Sequence, residues 1–312
     1  MLNEGVVGEA RQGSESGLYG IIRSLPHCST PGPLMAMNTS IWTNTATLGG
    51  FIDGIATDAS PQEAHVALIG SKPLPIDEMP NLRGIFRCGV GTDNIPFEAC
   101  RDRGIDVCLP SDTTVEIIHA ETANFAVHRV LEMLYRDIGD VETWVKTPRP
   151  FLGTRRVLVV GTGRIGSQVA AKLGALVEVV TYDAATDSPD LLESLLGTVD
   201  CVTLHVPLND ATRGWVDASW LSKMRDGAAL VNTARGAVVE EAALLAEIES
   251  GRLTAAFDVY WQEPYHGPLR AHHPAGFLMS PHVASTCSTF LERLAGDFRT
   301  FLGVLERAGA NA

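Results

Sequence analysis

The stretch from residue 155 to residue 173 constrains the fold more than any other. Residues 155–160 (RRVLVV) end in an apolar, largely β-branched run, residues 161–166 (GTGRIG) follow with three glycines, and residues 167–173 resume at helical spacing. β-branched runs of this length suit a buried strand, and glycines allow a turn too tight for other residues. A strand that enters a helix through so short a turn opens a βαβ unit, which calls for a parallel sheet with both faces covered.

The rest of the chain repeats this alternation. Before it, strands are expected at residues 40–44, 64–69, 82–88 and 105–109, with helices at 48–56 and 96–104 and a turn at 89–94. A long helix is expected from Val115 to about Val145, because Val127, Val130, Leu131, Leu134, Ile138 and Val141 fall three or four apart and share one face. Such a helix can link two domains and offer a dimer contact, and the Pro-rich residues 147–150 would end it. After the glycine turn, strands are expected at 177–183, 201–206, 228–232, 254–259 and 278–282, with helices including 240–249 and 289–308.

A length of 312 residues suits two domains, each with its own core. Hydrophobic residues make up 45% and charged residues 20%, ordinary for a soluble enzyme rather than a disordered chain. The formal charge of -13 disfavours nucleic acid or an anionic membrane as partner. No apolar run is long enough to cross a bilayer. The six cysteines are scattered without a C-x-x-C pair, the usage of reduced thiols in a cytoplasmic protein, and no metal site is expected. His266, His272 and His273 share a loop rich in Pro and Gly without fixed ligand spacing. Residues 1–36 lack a secretory pattern and read as a candidate disordered extension, with Met35 and Met37 as alternative starts.

In its βαβ setting the glycine turn is a dinucleotide fingerprint. Gly161 permits the turn, Gly163 lets the backbone approach a pyrophosphate, and Gly166 permits close helix–strand packing, with Arg164 and Ile165 between them. The helix start supplies free N–H groups and a partial positive charge for phosphates. Asp183, ending the next strand, is placed for the ribose hydroxyls and would repel a 2′-phosphate, so NAD is expected over NADP.

Three later segments add chemistry: residues 231–236 (VNTARG), 258–264 (DVYWQEP) and 280–285 (SPHVAS). Arg235 can hold a carboxylate through two parallel hydrogen bonds. His282 is suited to moving a proton near neutral pH, and a carboxylate such as Glu263 can orient an imidazole. Hydride transfer to a ketone builds charge on oxygen, which a positioned acid must neutralise.

Together these segments resemble the D-isomer-specific 2-hydroxyacid dehydrogenase family, most specifically from Val157 to His282, with the strand ending LHVPL at residues 204–208 among them. Residues 87–95 (RCGVGTDNI) are similar to that family's substrate-domain loop. The resemblance implies two Rossmann/flavodoxin-like doubly wound parallel-sheet α/β domains with the active site in the cleft between them. The substrate domain would comprise residues 37–118 and 286–312, and the NAD-binding domain residues 119–285. Arg235 would bind the substrate carboxylate, His282 would exchange a proton with the carbonyl oxygen, and Glu263 would hold the imidazole. Asp258 would contact the nicotinamide carboxamide; His205, Pro207, Thr233 and Ala234 would line the cofactor cleft; and the backbone at Val90 and Gly91 would meet the substrate.

The implied activity is NAD-dependent interconversion of a small 2-oxo acid and its D-2-hydroxy acid, by a cytoplasmic homodimer. Two alternatives stay open: a catalytically silent NAD(H)-sensing protein, and a dehydrogenase of phosphorylated acids or phosphite. Between the strands at Trp42 and Val66 there is room for about one helix, fewer elements than the family usually has, so a remodelled pocket is expected there. A C-terminal regulatory domain is not expected.

Overall fold

The computed structural model describes residues 22–23 and 39–310. The expected disordered extension over residues 1–36 lies outside the described residues, apart from one two-residue strand. In chain order the elements are β1 (Ile22–Arg23), β2 (Ile41–Thr43), β3 (Val66–Ile69), β4 (Gly84–Arg87), α1 (Phe97–Asp102), β5 (Asp106–Cys108), α2 (Asp112–Tyr135), β6 (Gly139–Asp140), β7 (Val145–Lys146) and β8 (Arg156–Val160). There follow α3 (Gly166–Leu173), β9 (Glu178–Tyr182), α4 (Pro189–Leu196), β10 (Cys201–Leu204), α5 (Ala218–Ser222), β11 (Ala229–Asn232), α6 (Glu241–Glu249), β12 (Thr254–Phe257), β13 (Phe277–Met279) and α7 (Ser288–Ala310). The chain divides into two compact units: one runs to Ser111 and resumes at Glu292, and the other spans Asp112–Leu291.

The first unit is built on a five-stranded sheet in the order β1-β5-β4-β3-β2, parallel throughout. Strand alternation gives the sheet two packed faces. Ile85 joins Ala67, Ile69, Cys100 and Val107 on one side. Its neighbour Phe86 meets Phe298 and Phe301 of α7, with ring centroids 5.2 and 5.8 Å away. The helix expected over residues 48–56 does not form; the segment is a run of turns. Gly50 and Gly54 take φ of +82° and +81°, which an α-helix excludes, and the bonds Phe51 N–H to Leu48 O and Ile55 N–H to Ile52 O close single turns.

The second unit carries a six-stranded parallel sheet in the order β13-β12-β11-β10-β8-β9. Val130, Met133 and Leu134 of α2 and Val169 and Leu173 of α3 cover one face. Leu192 and Leu196 of α4, Trp220 and Leu221 of α5, and Leu244 and Ile248 of α6 pack in the core of the other. Helices on both faces of a parallel sheet make the arrangement doubly wound. Strand order reverses at β8, which lies between β9 and β10, so the ligand crevice of such a sheet opens beyond the ends of β8 and β10.

Helix α2 ends at Tyr135, ten residues before the expected Val145. The chain instead turns into the short antiparallel hairpin β6–β7. Gly139 adopts φ +116° and Asp140 accepts the Thr143 N–H at 2.8 Å, so a local turn outcompetes the continuing apolar period. The expected shared face is therefore split. Val130 and Leu134 are buried, whereas Ile138 and Val141 are exposed on the hairpin.

Candidate active site

The buried strand β8 runs straight into the glycine turn. Gly161 takes φ +91°, and a side chain there would strike the His205 carbonyl oxygen, 2.5 Å from where its Cβ would lie. A Cβ at Gly166 would collide with the Gly161 carbonyl, so α3 can start this close to β8 only without one. Among the described residues nothing lies within 4 Å of where a Cβ at Gly163 would sit. The first N–H groups of α3 have no side-chain cap.

Asp183, just after β9, turns back onto this loop. Its Oδ2 accepts the Thr162 N–H at 2.8 Å and the Thr162 hydroxyl at 2.7 Å, and its Oδ1 accepts the Ala185 N–H at 3.1 Å. These bonds hold its carboxyl below the usual range, so it is an anion at neutral pH. His205, after β10, shares a hydrogen bond with Thr203 Oγ1 through Nε2 at 2.9 Å. Burial pushes its imidazole down to about 4, so the ring beside the glycine turn is neutral. Among the described residues the buried Thr233 hydroxyl has no hydrogen-bond partner. A buried polar atom without a partner, an uncapped helix start and an open glycine loop are the features a bound dinucleotide would complete, so these residues fit NAD.

The three chemical segments leave the sheet at the ends of β11, β12 and β13. Buried Asn232 shapes the first: its Oδ1 accepts the Ala234 N–H at 2.9 Å and its Nδ2 donates to the Arg235 carbonyl at 2.9 Å. Arg235 Nη1 donates to the Ala234 carbonyl at 2.8 Å. A Cβ at Gly236 would enter the backbone of Tyr260 and Trp261, so this glycine lets the first segment pack directly on the second. Between the second and third segments, His282 Nδ1 lies 2.8 and 3.0 Å from the two oxygens of Glu263. A carboxylate only accepts, so Nδ1 carries the hydrogen, and Nε2 is the ring nitrogen that Glu263 does not engage.

Asp258 is 1% exposed and does not project into open space. Its Oδ1 accepts the Ser280 hydroxyl at 2.5 Å and the Val283 N–H at 3.0 Å, and its Oδ2 accepts the Ala284 N–H at 2.8 Å. It therefore braces the His282 turn. Desolvation raises its pKa, opposed by those same bonds.

Val90 and Gly91 belong to the first unit, in the turn after β4. The buried Arg87 holds that turn by donating Nε–H to the Gly91 carbonyl at 2.8 Å. Asn94 Nδ2 ties the turn to the loop after β3 through the carbonyls of Gly70 and Lys72, at 2.8 and 2.7 Å. Sequence reasoning assigned Arg87 no role; an arginine at the end of an otherwise apolar strand was the available signal. It likewise missed Asn232, Thr162 and Ser280 as braces. Among the described residues, no group of three or more His, Cys, Asp or Glu is arranged to hold a metal.

The fold and the loop set define a two-unit α/β protein with a dinucleotide-binding unit. Residues 124–284 match the family described as D-isomer specific 2-hydroxyacid dehydrogenase, NAD binding domain. The (S)-sulfolactate dehydrogenase of Chromohalobacter salexigens is 32% identical over 72% of this chain and 79% of its own length. The D-3-phosphoglycerate dehydrogenase of Archaeoglobus fulgidus is 32% identical over 66% of this chain, but the match spans only 42% of that longer relative. Among solved structures, the D-lactate dehydrogenase of Aquifex aeolicus, complexed with NAD and lactic acid, shares the fold with a TM-score of 0.66 at 24% identity, covering 81% of this chain and 87% of that one. The chain belongs to the D-isomer specific 2-hydroxyacid dehydrogenase family of NAD-dependent oxidoreductases.

Proposed function

We propose that this protein reduces a small 2-oxo acid to its D-2-hydroxy acid, or runs the reverse, with NAD. The observation that carries the reading is the His282–Glu263 pair, set beside the Arg235 segment in a dinucleotide-binding unit. His282 Nε2 would give a proton to the substrate oxygen during reduction and take it back during oxidation. Glu263 would keep Nδ1 protonated and balance the charge of the imidazolium. Arg235 would grip the substrate carboxylate and polarise the neighbouring carbonyl.

NADH would supply the hydride. Gly161, Gly163, Arg164, Ile165 and Gly166 would hold its phosphates, Asp183 its ribose, and His205, Pro207, Thr233 and Ala234 the walls of its site. Asp258 would stand at the nicotinamide end and brace the His282 turn.

The first unit would be the substrate domain, with Val90 and Gly91 offering backbone N–H groups. A cavity of about 360 Å³ there is lined by Thr43, Thr45, Leu48, Ile52, Asp53 and Leu68 among others, at the ends of β2 and β3. We assign it to the substrate's side chain. Among the described residues its lining contains one carboxylate and no cationic residue, which favours a neutral side chain over a phosphate or sulfonate.

Among the described residues no helix is long and apolar enough to cross a membrane. Unpaired Cys88 and Cys108, each pushed up to about 12 by burial, support a reducing, cytoplasmic setting. The exposed apolar side chains of Ile138, Val141, Trp144 and Val145 on one hairpin support a homodimer. The test of the activity is NADH oxidation over glyoxylate, hydroxypyruvate, pyruvate and bulkier 2-oxo acids, with phosphite offered to NAD in the reverse direction. Turnover of a 2-oxo acid, lost in Arg235→Ala, is expected. Tight NADH binding with no turnover in either direction would sink the reading and favour a sensor.

A further inference from the structure

Asp258 braces the His282 turn from one side, through Ser280, Val283 and Ala284; a second hold on the same turn comes from Tyr260. His282 has φ +54°, a left-handed conformation uncommon outside glycine, so something other than local preference must fix it. Its own N–H donates to the Ser280 carbonyl at 3.0 Å, which closes the turn on Ser280. The position of Ser280 therefore sets the position of the imidazole.

Ser280 is gripped by the phenol of Tyr260, twenty residues earlier. The hydroxyl lies 2.9 Å from the Ser280 carbonyl and 2.9 Å from the Phe257 carbonyl, and the Ser280 N–H is shared between this hydroxyl and the Phe257 carbonyl, each at 3.1 Å. A phenol has one hydrogen, which the two carbonyls share, while its lone pairs take the N–H. The ring is fixed independently, stacked on Tyr265 at 5.0 Å and edge-on to Phe277 at 6.4 Å. At the other end of the same residue, the Tyr260 backbone N–H donates to Glu263 Oε1 at 3.2 Å. One residue thus touches both halves of the acid–base pair, the carboxylate through its main chain and the imidazole's turn through its hydroxyl.

We infer that Tyr260 is a positioning residue for hydride transfer, its hydroxyl setting the His282 imidazole against Glu263. The inference rests on the acid–base reading above. Tyr260→Phe removes the hydroxyl and keeps the stacked ring, so it isolates this contact.

The experiment is a double-mutant cycle of Tyr260→Phe and Glu263→Gln. Each variant is followed by single-turnover NADH oxidation with the 2-oxo acid that wild type reduces fastest, and by NADH binding. Tyr260→Phe alone should slow the transfer roughly tenfold, with NADH affinity and substrate KM within about twofold of wild type. In the Glu263→Gln background, where no carboxylate is left to balance the imidazolium that Tyr260 would position, the same change should cost less than about twofold. Wild-type rates in Tyr260→Phe beside a slow Glu263→Gln would overturn the inference and leave the acid–base reading intact. Wild-type rates in Glu263→Gln would overturn that reading itself. A Tyr260→Phe penalty undiminished in the double mutant, or one confined to KM, would make the residue a general packing element. Should Tyr260→Phe not fold, Tyr260→Trp, which keeps a stacked ring without the hydroxyl's reach, takes its place in the same cycle.

Discussion

His282 Nδ1 faces both oxygens of Glu263, at 2.8 and 3.0 Å, across nineteen residues of sequence. In the proposed reaction Nε2 would face the substrate, and Glu263 would balance the imidazolium. Glu263→Gln should therefore reduce turnover by about ten- to a hundredfold with little change in NADH affinity, because the amide cannot balance the imidazolium. Steady-state kinetics beside NADH titrations checks this. Loss of NADH binding instead would place Glu263 in the cofactor's site.

The anionic Asp183, bound to Thr162, should make the protein prefer NADH to NADPH by roughly a hundredfold or more, since a 2′-phosphate would meet a carboxylate. Asp183→Ser should narrow that ratio. Comparing kcat/KM for the two cofactors decides it, and equal use by wild type would show that Asp183 is not placed on the ribose.

His205 gives the stability a pH dependence. Its imidazole is held at about 4 in the folded chain against an ordinary 6.5, so between these values the unfolded chain binds the extra proton. Stability is then lost as pH falls through this window, by up to roughly 3 kcal/mol from this one group. His205→Gln should flatten the fall in urea midpoint between about pH 7 and about pH 4.5. An unchanged slope would assign the acid sensitivity elsewhere.

Gly236 has no room for a side chain against the Tyr260–Trp261 backbone. Gly236→Ala should cost about 2–3 kcal/mol of stability in thermal unfolding and lower turnover more than NADH affinity, because two chemical segments are pushed apart. Wild-type stability and activity would show that the two loops are not rigidly registered.

The cavity in the first unit should favour neutral side chains, so kcat/KM for hydroxypyruvate or 2-oxobutanoate should exceed that for 3-phosphohydroxypyruvate or 3-sulfopyruvate by roughly tenfold or more. The reverse order would move the side-chain site away from Thr45 and Asp53.

Much of the second unit was legible in sequence because its signals are local. The apolar run before Gly161, the glycine spacing and the acid at the end of the next strand lie within thirty residues of one another. The end of α2 was not legible, since Ile138 and Val141 continue the helical period past the point where Gly139 breaks it. The turns after β2 were misread as a helix for a related reason: an apolar pattern says nothing of the backbone angle its glycines adopt. Chemical residues could be named by type, but their braces could not. Asp258 meets Ser280 and Tyr260 meets the same residue only once β12 and β13 lie side by side, and no periodicity records that contact.

The most direct measurement is turnover and NADH affinity of His282→Ala, assayed with the best 2-oxo acid of the wild-type protein. We expect NADH to bind within about threefold of wild type while turnover falls by a hundredfold or more, roughly the share a positioned acid supplies. Full activity in His282→Ala would contradict a proton-transfer role for this residue, and with it the chemistry assigned to the pair.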